Sequence, residues 1–239
     1  MPPSPRTPFS LNLHKVVEAA PRQRQYLFAP PAAGRLYAIV DGEVCAAAGR
    51  APLDVARAFL SAGAQLIQLR CKAMASGAFL DLSSQTLEYS RAAGATLIIN
   101  DRADIAAIAR ADGVHIGQTD LTTADARRVI GASPILGLST HTPEQWEAAV
   151  REAISYLAIG PAFGTGTKAT GYAAVGLEVI ARASAAAKAC GLPTVAIGGI
   201  TLDNAASVVD AGASSVAVIS DLLKGDPETR CRAFLRMLQ

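Results

Sequence analysis

Eight short apolar segments recur along this chain of 239 residues, and each is followed by a segment with the start or stop signals of a helix. Runs this short and this apolar are typical of parallel strands that are buried on both faces. The alternation therefore predicts an α/β fold. The predicted strands are Leu36–Val40, Gln65–Arg70, Thr96–Asn100, Gly113–Ile116, Ile135–Ser139, Tyr156–Ile159, Thr194–Ile197 and Ser215–Ile219.

The segments between these strands are predicted to be helices, and five of them are followed directly by glycine. The phrase Ala-Gly-Ala, centred on Gly63, Gly94 and Gly212, leads from a helix into the next strand. The predicted helices are Pro52–Ala62, Phe79–Ala93, Ala103–Ala109, Thr122–Ile130, Pro143–Ala153, Leu177–Cys190, Leu202–Ala211 and Pro227–Leu238. Eight such units in residues 35–239 predict a (β/α)8 TIM barrel, with an open doubly wound sheet as the alternative. Residues 1–34 are rich in proline and are expected to form an N-terminal extension with one short helix, Leu11–Ala20.

Composition excludes several classes of protein. Hydrophobic residues make up 51% of the chain, which favours one large core over two small domains. The net charge is only +2, and no basic run with interleaved aromatic residues indicates nucleic-acid binding. No apolar stretch reaches the roughly 18 residues that a membrane span needs, and no continuous apolar signal segment opens the chain. We therefore expect a cytoplasmic protein that does not bind membranes, and a homo-oligomer remains open.

The four cysteines are scattered and form no CxxC pair or zinc-like spacing, so reduced structural thiols are expected. They are Cys45, Cys71, Cys190 and Cys231. Cys71 lies between Arg70 and Lys72, and neighbouring cations would lower its pKa. Alternation along the strand end would nevertheless point the thiol away from the side that the two cations share.

Polar residues stand where the predicted strands end, and in a parallel barrel all of these ends open on one face. Gln68, Arg70 and Lys72 are two residues apart and share one side of an extended chain. Arginine with its planar fork and lysine as a point charge can together bind a diphosphate. A surface salt bridge is the alternative for this segment.

Two carboxylates follow neighbouring strands. Asp101 comes after Asn100 at the end of the third strand, and Asp120 follows the fourth. Together they could flank a Mg²⁺ ion, which takes one or two protein carboxylates and completes its shell with phosphate oxygens and water. For Asp101 alone, capping of the helix Ala103–Ala109 is an equal alternative. No histidine–cysteine cluster points to zinc.

Two further loops have the composition of phosphate sites. The sixth strand is followed by a connection rich in glycine and threonine, whose amides, hydroxyls and Lys168 can surround a phosphate, although no P-loop motif is present. A plain surface loop is the alternative there. Gly198–Thr201 after the seventh strand and Ile219–Ser220 after the eighth predict a monophosphate site made of backbone N–H groups and a helix N-terminus. Glycine is expected there because a Cβ would block the phosphate.

The histidines allow few roles. His141 follows the fifth strand, and it could act as a general base or make structural hydrogen bonds. His115 lies within a strand and is expected to fill the barrel interior, while Trp146 and Tyr156 are expected to be packing residues. A Ser–His–Asp hydrolase is unsupported because the GxSxG motif is absent.

Taken together, these phrases resemble the thiamine-phosphate synthase family over roughly residues 35–219. The matching phrases are QLRCK, LIINDRADIA, ADGVHIGQTDL, GLSTHT, AIGPAFGTGTK, VAIGGIT and VAVIS. The resemblance implies a transferase of thiamine biosynthesis that joins a hydroxymethylpyrimidine diphosphate to a thiazole phosphate and releases diphosphate. It implies Mg²⁺ as the cofactor and small phosphorylated heterocycles as the partners.

The resemblance also assigns residues by position. Those implied to hold the pyrimidine diphosphate are Gln68, Arg70, Lys72, Asn100, Ser139 and Lys168, of which Arg70, Lys72, Ser139 and Lys168 are the expected catalytic residues. Those implied to hold the thiazole phosphate are Thr165, Gly166, Thr167, Gly199, Ile219 and Ser220. Asp101 and Asp120 are implied to bind the metal.

The chain departs from the family pattern at three places. Cys71 stands where an acidic residue is usual, the segment after Lys168 lacks the usual continuation rich in lysine, aspartate and proline, and the first strand reads Tyr-Ala-Ile-Val-Asp-Gly. Two alternatives stay open: a thiazole tautomerase-like member of the superfamily, which needs a base but no diphosphate site, and a non-catalytic barrel that binds a thiamine precursor and regulates a partner.

Overall fold

In the computed structural model, residues 34–164 and 171–239 are described, and their strands form a closed barrel. Each strand pairs in parallel with the next one along the chain, and the first pairs with the last through Leu36 and Val216. The strands are β1 Leu36–Asp41, β2 Leu66–Arg70, β3 Thr96–Asn100, β4 Gly113–Ile116, β5 Ile135–Thr140, β6 Tyr156–Ile159, β7 Thr194–Ile197 and β8 Ser215–Val218. The predicted TIM barrel is confirmed, and the open sheet is excluded by the pairing of β1 with β8.

Helices follow the strands and cover the outside of the barrel. They are α1 Gly42–Ala47, α2 Pro52–Ala62, α3 Ser76–Ala92, α4 Ala103–Ala109, α5 Thr123–Ile130, α6 Pro143–Ala149, α7 Gly176–Ala189, α8 Ala205–Asp210 and α9 Pro227–Met237, with a 3₁₀ turn at Ser220–Leu223. Among the described residues, none of these helices combines the length and the apolar character that crossing a membrane requires. The predicted helix Leu11–Ala20 and most of the predicted N-terminal extension lie outside the described residues.

Local signals fix most of the helix ends where the sequence predicts them. The Thr122 hydroxyl accepts a hydrogen bond from the Asp125 amide and so caps α5, as expected for a threonine at this position. Gly63 ends α2 with a φ of 100°, which a side-chain-bearing residue rarely adopts. The predicted Pro143–Ala153 and Leu202–Ala211 are too long, since α6 ends at Ala149 and α8 begins only at Ala205. The predicted Phe79–Ala93 starts too late, since α3 begins at Ser76.

The helix α1 is absent from the prediction, and its cause lies at the end of β1. The Asp41 carboxylate accepts hydrogen bonds from the amides of Glu43 and Val44, both at 3.1 Å, and starts a helix directly after the strand. A short apolar stretch such as Gly42–Ala47 has too little periodicity to reveal a six-residue helix. The consequence is a buried aspartate at the mouth of the barrel.

Two apolar layers hold the structure together. One lies between the barrel and its helices, where Phe59, Phe79 and Phe234 are fully buried. The other fills the barrel itself and includes Ile39 and Ile98 together with the phenol rings of Tyr37 and Tyr156. Truncating a buried phenylalanine to alanine costs about 3–5 kcal/mol. The rigid barrel that results fixes where the strand ends, and therefore the site residues, are placed.

Candidate active site

At the mouth of the barrel, the Arg70 guanidinium is held by a residue on the neighbouring strand. Asp41 and Arg70 lie opposite each other at the ends of β1 and β2, and their side chains form an ion pair. The Asp41 carboxylate is buried, and its second oxygen caps α1. Because Asp41 is fixed by two backbone amides, it fixes in turn the orientation of the Arg70 guanidinium.

The second cation belongs to a cluster with two carboxylates. The Lys72 ammonium lies 2.9 Å from a carboxylate oxygen of Asp101, and the Asp120 carboxyl lies near enough to Asp101 to raise its pKa. The Asp120 carboxylate also accepts a hydrogen bond from the Gly117 amide at 2.8 Å, which fixes its loop. The two predicted metal ligands, from adjacent strand ends, therefore meet at one point.

Asp101 is held in an unfavourable state in two respects. The first is its backbone: its φ is 61°, in the left-handed region that a non-glycine residue rarely occupies. A hydrogen bond from its amide to the carbonyl of His115, at 2.7 Å, holds this conformation. The second is its ionisation. Burial raises the pKa of Asp101, and the adjacent Asp120 carboxyl raises it further, while Lys72 acts in the opposite direction. The alternative capping role for Asp101 is wrong, because α4 has Arg102 at its N-cap with no side-chain cap hydrogen bond.

The chemistry of this cluster suits a hard cation. Two adjacent carboxylates supply oxygen ligands, and a divalent ion between them would relieve the repulsion that raises the pKa of Asp101. Within residues 34–164 and 171–239, no group of three or more histidine, cysteine, aspartate or glutamate side chains could hold a metal by itself. Two protein carboxylates, with the remaining ligands from phosphate and water, match the habit of Mg²⁺ rather than that of zinc.

The other residues predicted to bind the diphosphate lie at different depths below the barrel mouth. Asn100, at the end of β3, lines a small pocket with Lys72 and Asp101. Ser139 lies near the end of β5, with its hydroxyl oxygen 2.8 Å from Nε2 of His115. Gln68 lies deeper, where its amide nitrogen donates to the Tyr37 hydroxyl at 2.8 Å and only 2% of the residue is exposed. Gln68 therefore belongs to the floor of the site.

A second cavity opens beside this cluster, between the ends of β5, β7 and β8. Ser139 lines it on one side, and Gly199, Ile219, Ser220 and Lys224 line it on the other. Three of the residues predicted for the thiazole phosphate, Gly199, Ile219 and Ser220, thus come together. Ser139 lies between the two predicted anion sites.

Gly199 in this second cavity has a structural role besides the predicted approach of a phosphate, which stays a prediction. A Cβ at Gly199, whose φ is 64°, would lie 2.6 Å from the carbonyl oxygen of Gly164 and 2.8 Å from the Phe163 Cβ. The glycine therefore allows the β7 loop to pack against the β6 loop. The helix α8 starts only at Ala205, four residues after Thr201, whereas a 3₁₀ turn begins at Ser220, which lines the cavity.

Three comparisons with known proteins bear on this geometry. The family model described as thiamine monophosphate synthase matches residues 36–222. The chain belongs to this family. A thiamine-phosphate synthase of Roseiflexus castenholzii is 43% identical over 205 residues, covering 85% of this chain and 88% of the relative. One of Koribacter versatilis is 44% identical over 211 residues, covering 85% and 95%.

A solved structure agrees with this assignment to the thiamine monophosphate synthase family. The thiamine phosphate pyrophosphorylase of Pyrococcus furiosus has a TM-score of 0.78 and 28% identity, covering 86% of this chain and 96% of that one. The orotidine 5′-phosphate decarboxylase of Pyrococcus horikoshii shares the fold alone, with a TM-score of 0.60 and 16% identity. The resemblance stated from the sequence phrases is therefore confirmed at the level of the family.

Some residues of this family member have structural contacts that the sequence left open. The His141 imidazole Nδ1 lies 2.6 Å from the Gly160 carbonyl, and the ring stacks on Tyr172 at 4.2 Å between centroids. These contacts fit the structural interpretation of His141 better than that of a general base. Burial, together with the Asp41 carboxylate, raises the pKa of the Cys71 thiol to about 11, so the lowering expected from the neighbouring cations is outweighed.

The structure also adds residues that the sequence analysis missed. Asp41 ends the first apolar run, and that position alone marks it as a candidate. Asp221 is buried under the second cavity and pairs with Lys224 at 2.8 Å and Arg230 at 2.6 Å. Tyr156 is more than a packing residue, because its hydroxyl contacts His115 at 2.8 Å. The predicted Thr165, Gly166, Thr167 and Lys168 lie outside the described residues, and their roles stay predictions.

Proposed function

We propose that this protein joins 4-amino-2-methyl-5-(diphosphooxymethyl)pyrimidine to a thiazole phosphate, giving thiamine monophosphate and diphosphate. The observation that carries the proposal is the cluster of Lys72, Asp101 and Asp120 beside a separate cavity lined by Gly199 and Ser220. Two adjacent anion sites at one mouth suit a reaction between two phosphorylated partners. The family names of the relatives support this reaction class.

We assign the diphosphate side to the charged residues of β2 and β3. Arg70, held by Asp41, and Lys72 would bind the diphosphate with Asn100, Ser139 and Lys168, while Gln68 would line the floor beneath the pyrimidine. Cationic groups in a half-buried site stabilise negative charge as it develops on a leaving group. These side chains would therefore favour early breakage of the bond between the pyrimidine methylene carbon and the diphosphate oxygen.

Asp101 and Asp120 would hold Mg²⁺. When bound, the ion neutralises charge on the diphosphate. Because the pair comes from adjacent strand ends and is fixed by Gly117 and His115 backbone contacts, it would place the metal on the side of the site where Lys72 lies. The dependence on magnesium is thus part of the proposal.

The second substrate would bind in the cavity between β5, β7 and β8. Gly199, Ile219 and Ser220, with Thr165, Gly166 and Thr167, would hold the thiazole phosphate and leave the thiazole nitrogen to attack the pyrimidine methylene carbon. The electron-rich aminopyrimidine can delocalise the positive charge that forms when diphosphate leaves. No protein nucleophile is needed, which agrees with the buried thiols Cys45 and Cys71, whose pKa values burial raises to about 12 and 11.

The decisive experiment is incubation of the protein with both phosphorylated heterocycles, with and without Mg²⁺, followed by measurement of diphosphate and thiamine monophosphate. We expect both products in equal amounts and only with the metal. Tautomerisation of a thiazole carboxylate phosphate without metal would favour the tautomerase-like alternative. Binding of both substrates without diphosphate release would favour the regulatory one. A cytoplasmic location and a homo-oligomeric state stay predictions alongside this proposal.

A further inference from the structure

The interior of this barrel contains polar side chains where apolar ones are usual. Layers of branched aliphatic residues typically fill a TIM barrel. Here Gln68, Tyr37, Tyr156 and His115 lie inside and are almost completely buried. Buried polar groups lower stability unless each finds a hydrogen-bond partner, so their presence calls for a reason beyond packing.

These side chains form one continuous series of hydrogen bonds that ends at the mouth. The Gln68 amide donates to the Tyr37 hydroxyl at 2.8 Å, and the two tyrosine hydroxyls are 3.0 Å apart. Nδ1 of His115 lies 2.8 Å from the Tyr156 hydroxyl, and Nε2 of the same ring lies 2.8 Å from the Ser139 hydroxyl. We call this series, from Gln68 to Ser139, the interior relay.

A glycine makes room for the relay. A Cβ at Gly137, on β5 between His115 and Tyr156, would overlap the Tyr156 phenol and lie 2.5 Å from Nδ1 of His115. The His115 and Tyr156 rings stack at 5.6 Å between centroids with an interplanar angle of 15°. The two rings are therefore held in one arrangement.

The protons of the buried phenols favour one direction for these hydrogen bonds. Burial raises the pKa values of Tyr37 and Tyr156, so both phenols keep their protons. In the described part of the chain, the Tyr37 hydroxyl contacts the Gln68 amide and the Tyr156 hydroxyl. Since Gln68 donates to Tyr37, the proton of Tyr37 goes to the Tyr156 oxygen.

In that order, Tyr156 would donate to Nδ1 of His115, and a neutral His115 would carry its proton on Nε2 and donate it to Ser139. The Ser139 oxygen would then accept from His115, which would leave the serine's own proton to be donated into the cavity that Ser139 lines.

We propose that the interior relay positions Ser139 as a hydrogen-bond donor to the departing diphosphate, with Tyr156 and His115 as positioning residues. The inference rests on the proposed function and adds residues to it that lie one and two hydrogen bonds away from Ser139. The relay would keep one rotamer of the serine hydroxyl, and pre-organised donors stabilise a transition state without reorganisation. Tyr156 would therefore act on the reaction only through Ser139.

A double-mutant cycle tests this dependence. We expect Tyr156→Phe to lower kcat about tenfold and Ser139→Ala to lower it at least as much, with the KM for the thiazole phosphate unchanged. The double variant should be no slower than Ser139→Ala alone, because the relay then has nothing to position. If Tyr156→Phe lowers kcat by the same factor in both backgrounds, Tyr156 acts independently of Ser139 and the inference is wrong.

Conservative variants keep the test clear of folding defects. His115→Gln retains a donor near the Nε2 position and should keep several-fold more activity than His115→Leu. Tyr89→Phe, which removes an exposed hydroxyl from α3, serves as the control and should match the parent enzyme. Equal activity of His115→Gln and His115→Leu, at equal thermal stability, would contradict the relay.

A spectroscopic readout separates this inference from the proposed function. Imidazole ¹⁵N shifts of the full-length protein, without substrate, should show His115 protonated at Nε2 and unprotonated at Nδ1. Protonation at Nδ1 would reverse the series and overturn the inference, whatever the enzyme turns over. Absence of thiamine monophosphate formation by the parent protein would overturn the proposed function, and the ¹⁵N result would still decide the direction of the relay.

Discussion

The two halves of the barrel mouth differ in the groups that line them. On the side of β1–β4, charged side chains meet in pairs, Asp41 with Arg70 and Lys72 with Asp101. On the side of β7 and β8, glycine-containing loops line a cavity in which Lys224 and Asp221 supply the charge among the described residues. The charged half should therefore respond to single side-chain changes, and the other half to changes of backbone shape.

The largest effect is expected for Asp101→Asn. The change keeps the shape of the side chain but removes the charge that the proposed metal site needs, so we expect kcat to fall at least about tenfold, equivalent to about 1.4 kcal/mol in the barrier. The magnesium concentration for half-maximal rate should rise as well. Steady-state rates of diphosphate release across a magnesium titration measure both.

The matched control for this change is Asp104→Asn. Asp104 is a more exposed carboxylate on α4 and pairs with Arg102 at 2.6 Å. Its loss should leave the rate and the magnesium requirement within about twofold of the parent. Equal losses of kcat in the two variants would contradict the assignment of Asp101 to the metal site.

Gly199→Ala should be the most damaging change in the half built from loops. The added Cβ would lie 2.6 Å from the Gly164 carbonyl oxygen, and a φ of 64° is strained for alanine, so the β7 loop must shift. We expect the KM for the thiazole phosphate to rise about tenfold, while the KM for the pyrimidine diphosphate changes little. Initial-rate measurements with each substrate varied in turn separate the two.

Gly77→Ala controls for the glycine substitution itself. Gly77 lies in α3 with no atom within 4 Å of an added Cβ, and alanine is the better helix former. This variant should keep both KM values. A rise in the KM for both substrates with Gly199→Ala would mean that the two halves of the mouth are not independent.

The same contrast explains how much the sequence could reveal. Arg70, Lys72, Asp101 and Asp120 lie at or shortly after the ends of apolar runs, so the barrel topology alone places them at one face. The structure brings Lys72, Asp101 and Asp120 together and pairs Arg70 with Asp41. The strand pattern also predicted all eight strands to within one residue at either end. Both depend on local signals that a single sequence contains.

Other features depend on contacts between residues far apart in the chain. The role of Gly199 depends on Gly164 and Phe163, and that of Gly137 depends on Tyr156 and His115, which no local pattern reports. Lys224 and Asp221 follow the last strand within a 3₁₀ turn and its end, which has no clear periodicity. The conformation of packed loops is set by such tertiary contacts, and sequence patterns reach it least well.

Asp221→Asn should weaken the fold under the second cavity. The buried carboxylate links the Leu202 amide at 3.1 Å to Arg230 and Lys224. Although burial opposes it, hydrogen bonds from Lys224 and Arg230 lower the pKa of Asp221 below its usual value. We expect a loss of about 2 kcal/mol in the free energy of unfolding at pH 7, a drop of roughly 4–8 °C in Tm.

The sign of the pH dependence follows from that lowered pKa. The stabilisation is fully present above the pKa of an unfolded aspartate, about 3.9, and is lost as the pH falls through the lower folded value. The difference in Tm between the parent and Asp221→Asn should therefore be constant from pH 5 to pH 7 and shrink below about pH 4. A difference that grows on acidification would contradict this. Asp54→Asn, in an exposed pair with Arg57, should change the free energy of unfolding by less than about 0.5 kcal/mol.

The smallest effect is expected for Lys224→Met, and it tests the comparison most finely. Lys224 lines the second cavity with a mostly exposed side chain, and its ammonium lies 2.8 Å from Asp221. Without it, a bound phosphate would face the Asp221 carboxylate with Arg230 as the remaining compensating cation. Solvent screens exposed charges, so we expect only about a threefold rise in the KM for the thiazole phosphate, and no change for the pyrimidine diphosphate.

The control is Lys188→Met, at the last turn of α7, which should change neither KM value. If Lys224→Met instead raised the KM for the pyrimidine diphosphate, our assignment of the two substrates to the two halves of the mouth would be wrong. The loops around Gly199 would then have to hold the diphosphate.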